Sequence, residues 1–253
     1  MKKSKIPSLI VVGAGPGDPE LMTLKGFKAL QNTDVILYDH LANFKLLEMA
    51  GPGCETVYVG KQPYGNYTPQ ETIHEMIRHY ANTRGNVVRL KGGDPFIFGR
   101  GFEEILFARD NGIEASYIPG ITSMQVAGLS EIPLTHRGIS ESVWAVTGTA
   151  KNGQLSKDLG PALNSSATVV IYMGMKNLAE IVSLCKKSGR GHTPAAIIQN
   201  GSHANHRGVI CRARDLVKEA HSAGLGHPAI IIIGEVVKIN YGLLYHEKTV
   251  YPT

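Results

Sequence analysis

The stretch VVRLKGGDPFIFGRG, residues 87–101, decides how the rest of the chain is read. Val87, Val88 and Leu90 form a short apolar run, the pattern of a strand buried on both faces of a parallel sheet. Gly92 and Gly93 follow, where the backbone can turn sharply and approach a ligand closely. Asp94-Pro95 adds an acceptor side chain and then a residue with fixed φ and no N–H donor. Phe96, Ile97 and Phe98 put apolar bulk in a loop, and Arg100 stands between two glycines. Open α/β sheets bind ligands outside the carboxyl ends of their strands, so the stretch predicts a strand-end crevice. Taken alone, these residues also suit a tight structural turn covered by an apolar loop.

Upstream, Leu9–Val12 reads as a strand running into Gly13-Ala14-Gly15-Pro16-Gly17-Asp18-Pro19. The dinucleotide fingerprint G-x-G-x-x-G needs a glycine where Asp18 sits, and Pro16 intrudes where a pyrophosphate would approach. A nicotinamide oxidoreductase is therefore disfavoured. Thr23 is positioned to cap a helix with Leu24, Phe27 and Leu30 on one face. Val35–Leu37 is the next strand, with Asp39 at its end, and Val57–Val59 is a third, ending at Gly60-Lys61. A lone aspartate or lysine at such a place is equally a turn or surface residue. Thr68-Pro69-Gln70-Glu71 has capping-box spacing with proline at the first helical position. Ile73, Met76, Ile77 and Tyr80 then recur at helical spacing as a core face, and His74 and His79 beside it are given no function.

Downstream, Ile105 and Leu106 belong to a helix ending near Asn111-Gly112, and Tyr117-Ile118 closes a fifth strand. Pro119-Gly120-Ile121-Thr122-Ser123 follows, with two hydroxyls that can cap a helix or meet a ligand. Residues 1–135 thus read as a doubly wound α/β domain, with Pro133–Gly138 as connector to a second α/β domain over 136–253. Strands are expected there at Val143–Val146, Thr168–Tyr172, Ala195–Ile198 and Ala229–Ile233. Lys151–Ser166 reads as a polar surface excursion. Met173-Gly174-Met175 and Gln199-Asn200-Gly201 both follow strands. His203 and His206 lack a third ligand, so no metal is expected.

Composition narrows the classes. A hydrophobic share of 43% and a charged share of 19% describe an ordinary globular chain. The net charge of +5 is mild and its cations are scattered, which suits an anionic small molecule and not a nucleic acid. Cys54, Cys185 and Cys211 are far apart, which points to a reduced interior without a disulfide framework. No run approaches the ~20 apolar residues of a membrane helix. The opening MKKSKIPSLIVV breaks at its glycines without a cleavage pattern, so a cytoplasmic protein is expected.

GAGPGDPELMTLKG, YDHL, VYVGK, VVRLKGGDPFIFGRG, PGITS and IPLTHRG, in this order, resemble the tetrapyrrole methylases from about Leu9 to Ile239. Within that superfamily they are most similar to the branch that C-methylates uroporphyrinogen III. The resemblance implies two α/β domains of the tetrapyrrole methylase type with an active-site trough between them, working as a homodimer. It implies S-adenosyl-L-methionine as methyl donor, with S-adenosyl-L-homocysteine as product. Pro16, Gly92, Gly93, Asp94, Ile97, Thr122, Ser123, Met173 and Gly201 fall on the family's cofactor positions. Asp39 and Lys61 fall on its proton-handling pair. The implied reaction is methylation at C2 and C7 to give precorrin-2, on the sirohaem, cobalamin or haem d1 branch. The substrate is an anionic tetrapyrrole, for whose carboxylates Arg137, Arg100 and Arg89 are the candidate guanidinium partners; Arg89, inside a strand, also suits a structural role.

This sequence departs from the family pattern at four places. Phe102 replaces a second glycine, Met124-Gln125-Val126 replaces small residues, Gly138 replaces a common aspartate, and Gln62 replaces an arginine. The first two bear on pocket width and the others on charge near the substrate. Other precorrin C-methyltransferases, and a non-catalytic protein that binds S-adenosylmethionine or a tetrapyrrole, are the alternatives.

Overall fold

A computed structural model describes residues 6–60 and 68–239. These residues form two compact units, divided between Ser123 and Met124. The Pro133–Gly138 stretch lies within the second.

The first unit carries strands β1 (Ser8–Gly13), β2 (Val35–Tyr38), β3 (Glu55–Tyr58), β4 (Asn86–Lys91) and β5 (Glu114–Ile118), with helices α1 (Leu24–Gln31), α2 (Gln70–Arg84) and α3 (Gly101–Asp110). Its sheet has the order β3-β2-β4-β1-β5, and all four pairings are parallel. The strand read first from the sequence is thus the middle one. Side chains alternate across a strand, so Val87, Arg89 and Lys91 share one face and Val88 and Leu90 the other. Val87 packs with Leu9, Val11, Leu37, Ile73, Ile77 and Ile105, the last three from α2 and α3. Val88 and Leu90 pack on the opposite face with Val12, Leu30 and Ile36. Two apolar faces require helices on both sides, which the βα crossovers supply.

The second unit carries α4 (Val126–Leu129), β6 (Val143–Thr147), α5 (Leu159–Asn164), β7 (Thr168–Tyr172), α6 (Leu178–Lys187), β8 (Pro194–Gln199), β9 (Arg207–Arg212), α7 (Leu216–Ser222) and β10 (Ala229–Ile233). The order is β6-β7-β10-β8-β9. Only β6–β7 is parallel; β10 runs antiparallel to both its neighbours and β8–β9 is an antiparallel pair. At the centre Ile231, Ile232 and Ile233 are fully buried, each such side chain stabilising by about 1.5–3 kcal/mol.

Several expectations change. Leu24 is 79% exposed, so the apolar face of α1 is carried by Leu30 and by Phe27, which is partly buried. The capping box at Thr68 does not form. Pro69 occupies the N-cap without a side-chain bond, and the Thr68 hydroxyl instead donates to the Gly60 carbonyl at 2.8 Å. The polar stretch 151–166 is no mere excursion, because α5 buries Leu159, Ala162 and Leu163 in the second core. β9 was not foreseen. Among the described residues, no helix is long and apolar enough to cross a membrane.

Candidate active site

Three strand ends meet in the first unit. β1 runs into Gly13-Ala14-Gly15, β4 into Gly92-Gly93-Asp94, and β5 into Pro119-Gly120. Gly15 and Gly93 form a two-bond bridge, with Gly93 N donating to Gly15 O at 2.7 Å and Gly15 N to Gly93 O at 3.3 Å. Gly120 must be glycine because a Cβ there would stand 2.3 Å from Gly93 O and 2.7 Å from Gly13 Cα. Its first task is to let backbones touch one another. Gly93 differs: its φ is +65°, and a Cβ would enter the space before Ser123 Oγ, 3.1 Å away. That space is kept open by the absence of a side chain.

Asp94 organises the turn. Its Oδ1 accepts from Phe96 N at 2.8 Å and its Oδ2 from Gly120 N at 3.1 Å and from the Tyr117 hydroxyl. Burial and then the Asp94 carboxylate push the Tyr117 phenol far up. The Phe96 ring stacks on Tyr117 with centroids 3.8 Å apart. With both oxygens held by protein donors, Asp94 shapes the loop that presents Ile97, which is 39% exposed. Phe102 closes edge-on against Phe96.

Asp39 lies just beyond β2, with 19% of its side chain exposed. Oδ1 accepts from Leu41 N at 3.2 Å, and Oδ2 accepts from Arg89 Nη2 at 2.8 Å. Burial pushes its carboxyl up, but Arg89 and then Lys91 more than offset this, holding it below the usual carboxylate value. Asp39 is therefore ionised at neutral pH. Arg89 is 2% exposed, and its Nη1 donates to Leu90 O at 2.8 Å and Leu37 O at 3.3 Å. Behind it stands Glu104 of α3, fully buried, which accepts from Lys91 Nζ at 3.1 Å and Gln70 Nε2 at 3.2 Å.

Lys61 and Gln62 lie outside the described residues. Pro16, Thr122 and Ser123 are half-buried in the loops that follow β1 and β5. Arg100 holds a left-handed conformation at the start of α3, and its guanidinium is paired with Glu103 at 2.6 Å. In the second unit, β7 and β8 are both antiparallel to β10, so Met173 and Gly201 follow strand ends at the same edge of that sheet. Met173 has φ 53° and is 53% exposed. Gly201 gives room to Val126, whose Cβ would lie 2.5 Å from an added Cβ. Met124-Gln125-Val126 is therefore partly core: Val126 is buried and Met124 packs beside it. Arg137 is exposed in the turn closed by the His136–Ser140 bridge, where Gly138 has φ +79°. Among the described residues there is no cluster suited to a metal ion.

Sequence reasoning missed Lys91, Glu104, Gln70 and Tyr117. Their only early signal was a lysine and a Glu-Glu pair flanking the glycine turn, in elements whose other residues read as core.

A two-unit α/β fold with glycine loops at the strand ends of its parallel sheet defines a class, and the chain belongs to it. It is a member of the tetrapyrrole (corrin/porphyrin) methylase family, whose model matches residues 8–217. It is similar to the uroporphyrinogen-III C-methyltransferase of Bacillus subtilis, 42% identical over 94% of each chain. The enzyme of that name from Methanocaldococcus jannaschii is 41% identical, over 91% of this chain and 97% of its own. Among solved structures, uroporphyrin-III C-methyl transferase of Thermus thermophilus complexed with S-adenosyl homocysteine is 38% identical. That alignment has a TM-score of 0.80 and covers 92% of this chain and 99% of that one.

Proposed function

We propose that this chain is an S-adenosyl-L-methionine-dependent C-methyltransferase that converts uroporphyrinogen III to precorrin-2 by methylation at C2 and C7. The observation that most supports this is the 42% identity running across 94% of both this chain and the Bacillus subtilis enzyme. Bound S-adenosylmethionine supplies an activated sulfonium methyl. The residues present fit it: the space kept open at Gly93 lies before Ser123, and Ile97 offers an apolar wall. Pro16, Gly92, Gly93, Asp94, Thr122, Ser123, Met173 and Gly201 are the remaining positions of the cofactor reading, with Asp94 acting through the loop it braces.

The chain's own work is to align, exclude water and move a proton. Methylation at a substituted pyrrole carbon makes that carbon quaternary and leaves positive charge on the macrocycle, relieved when a proton is lost from another position of the ring system to a base. Asp39, ionised and anchored, is assigned as acceptor, with Lys61 as its partner in proton handling. A carboxylate with a lowered pKa suffices because the proton leaves a cation. Arg137 and Arg100 are assigned to substrate carboxylates, Arg100 sharing its fork with Glu103. The protein works in the cytoplasm as a homodimer.

Anaerobic incubation with uroporphyrinogen III and methyl-labelled S-adenosylmethionine tests the reading. Two added methyls in the oxidised product are expected. A single methyl, or none with the donor still bound, would move the assignment to another precorrin substrate or to a binding protein.

A further inference from the structure

Of the charged groups that the first unit buries, Glu104 has no place in the chemistry just described, yet it is fully enclosed. Its Oε1 faces Lys91 Nζ at 3.1 Å and Arg89 Nε at 3.4 Å, while Oε2 accepts no hydrogen bond. A buried carboxylate is costly unless it is paired, and one left with an empty oxygen in an apolar helix–sheet interface calls for a reason. The charges give one. Asp39 and Glu104 are two anions and Arg89 and Lys91 two cations, so the set is neutral only with Glu104 present. The geometry gives another. Arg89 is planar and stands between the two carboxylates, with Nη2 on Asp39 at 2.8 Å and Nε toward Glu104. The Nε contact is an ion pair without a hydrogen bond, and together with Nη1 on the Leu37 and Leu90 carbonyls it sets the guanidinium plane against which Asp39 Oδ2 rests.

We propose that Glu104 is a positioning residue for turnover: through Arg89 and Lys91 it balances the charge beside Asp39 and holds that carboxylate in the orientation in which it takes the proton. This rests on the reading of Asp39 as proton acceptor. The burial of Asp39, its lowered pKa and the depression of Lys91, caused by its own burial and then by Arg89, accord with a set whose members depend on one another.

The test is a double-mutant cycle read as kcat, substrate KM and S-adenosylhomocysteine affinity. Glu104→Gln keeps the shape and removes the charge. It is expected to lower kcat on the order of tenfold to a hundredfold with KM and cofactor affinity nearly unchanged. Combined with Asp39→Asn it should cost little more than Asp39→Asn alone, because both act on one step. If Asp39→Asn alone leaves full activity, the proton-acceptor reading fails and the proposal falls with it. Where Asp39→Asn lowers kcat but Glu104→Gln does not, or where the two losses multiply, the proposal alone is overturned. Should Glu104→Gln fail to fold, Glu104→Asp carries the same cycle. It keeps the charge but is one methylene too short to reach both cations, and a kcat equal to wild type would sink the idea.

Discussion

The two sheets are built from similar numbers of buried aliphatic strands, but they differ in what else they bury. In the first unit the buried polar residues include Arg89, Lys91, Asp94 and Glu104. In the second, the buried polar residues among those described are Ser130, Ser140, Thr168, Asn177 and Gln199, all uncharged. The second core is built around Ile231–Ile233 and other aliphatic side chains, and buries none of the charged residues described in the first. The first core places ions on the α2/α3 face of its middle strand, directly behind the loops that carry the candidate site. Buried ion pairs are poor stabilisers compared with apolar residues of the same volume. Their presence on one sheet and absence from the other ties them to chemistry rather than to folding.

The largest effect should come from breaking the charged set. Arg89→Met keeps an apolar stem but leaves Asp39 and Glu104 without their shared cation, and a loss of about 3–5 kcal/mol is expected from denaturant midpoints. The pH dependence carries the sign. The folded pKa of Asp39 lies below the ordinary aspartate value, so its contribution is complete above about pH 4 and is lost as pH falls through the folded value. Arg89→Met should flatten that acid limb. A control in the other sheet sharpens the contrast: Ile197→Ala, in a fully buried position, should cost about 2–5 kcal/mol and leave the acid limb as it was. A loss that instead varied between pH 3 and 5 would break the distinction drawn here.

Asp39→Asn preserves the shape but removes the charge that faces Arg89 and Lys91, so it should forfeit the stability that ionised Asp39 contributes and flatten the acid limb. Turnover should fall about a hundredfold or more, as expected when a proton acceptor is removed, while S-adenosylhomocysteine still binds. The smallest effect is expected at Arg84, paired on the surface with Glu55 at 2.7 Å and 58% exposed. Arg84→Ala should cost no more than about 0.5 kcal/mol and leave activity intact. If it matched Arg89→Met, burial would not be what separates the two arginines.

Much of this architecture was legible because doubly buried strands announce themselves. Val87–Leu90, Val35–Leu37, Thr168–Tyr172 and Ala229–Ile233 are runs that only a covered sheet accepts. β9 was hidden because RGVICR lies at a sheet edge, half exposed and flanked by arginines, so neither alternation nor continuous apolarity stood out. α5 was hidden by its glycine and proline within a six-residue element. Thr68 satisfied a local rule that lost to a longer-range acceptor, the Gly60 carbonyl. At the candidate site, Asp39 stood out because strand-end position can be read along the chain, while the role proposed for it came from the family resemblance. Glu104 was missed because its partners come from β4 and α2, and side-chain pairing between elements leaves no trace in local spacing.

The placement of β1 has a consequence for biosynthesis. Ser8 pairs with Asn86 on one side and Glu114 on the other. The first strand of this sheet to leave the ribosome is therefore inserted between its last two strands, and it must wait for both. Until then an apolar ribbon, LIVV, stays without partners, a hazard for a nascent chain. The glycine loop that follows β1 takes its place only when the fifth strand has emerged, so a chain stalled before Ile118 is one that chaperones must shelter.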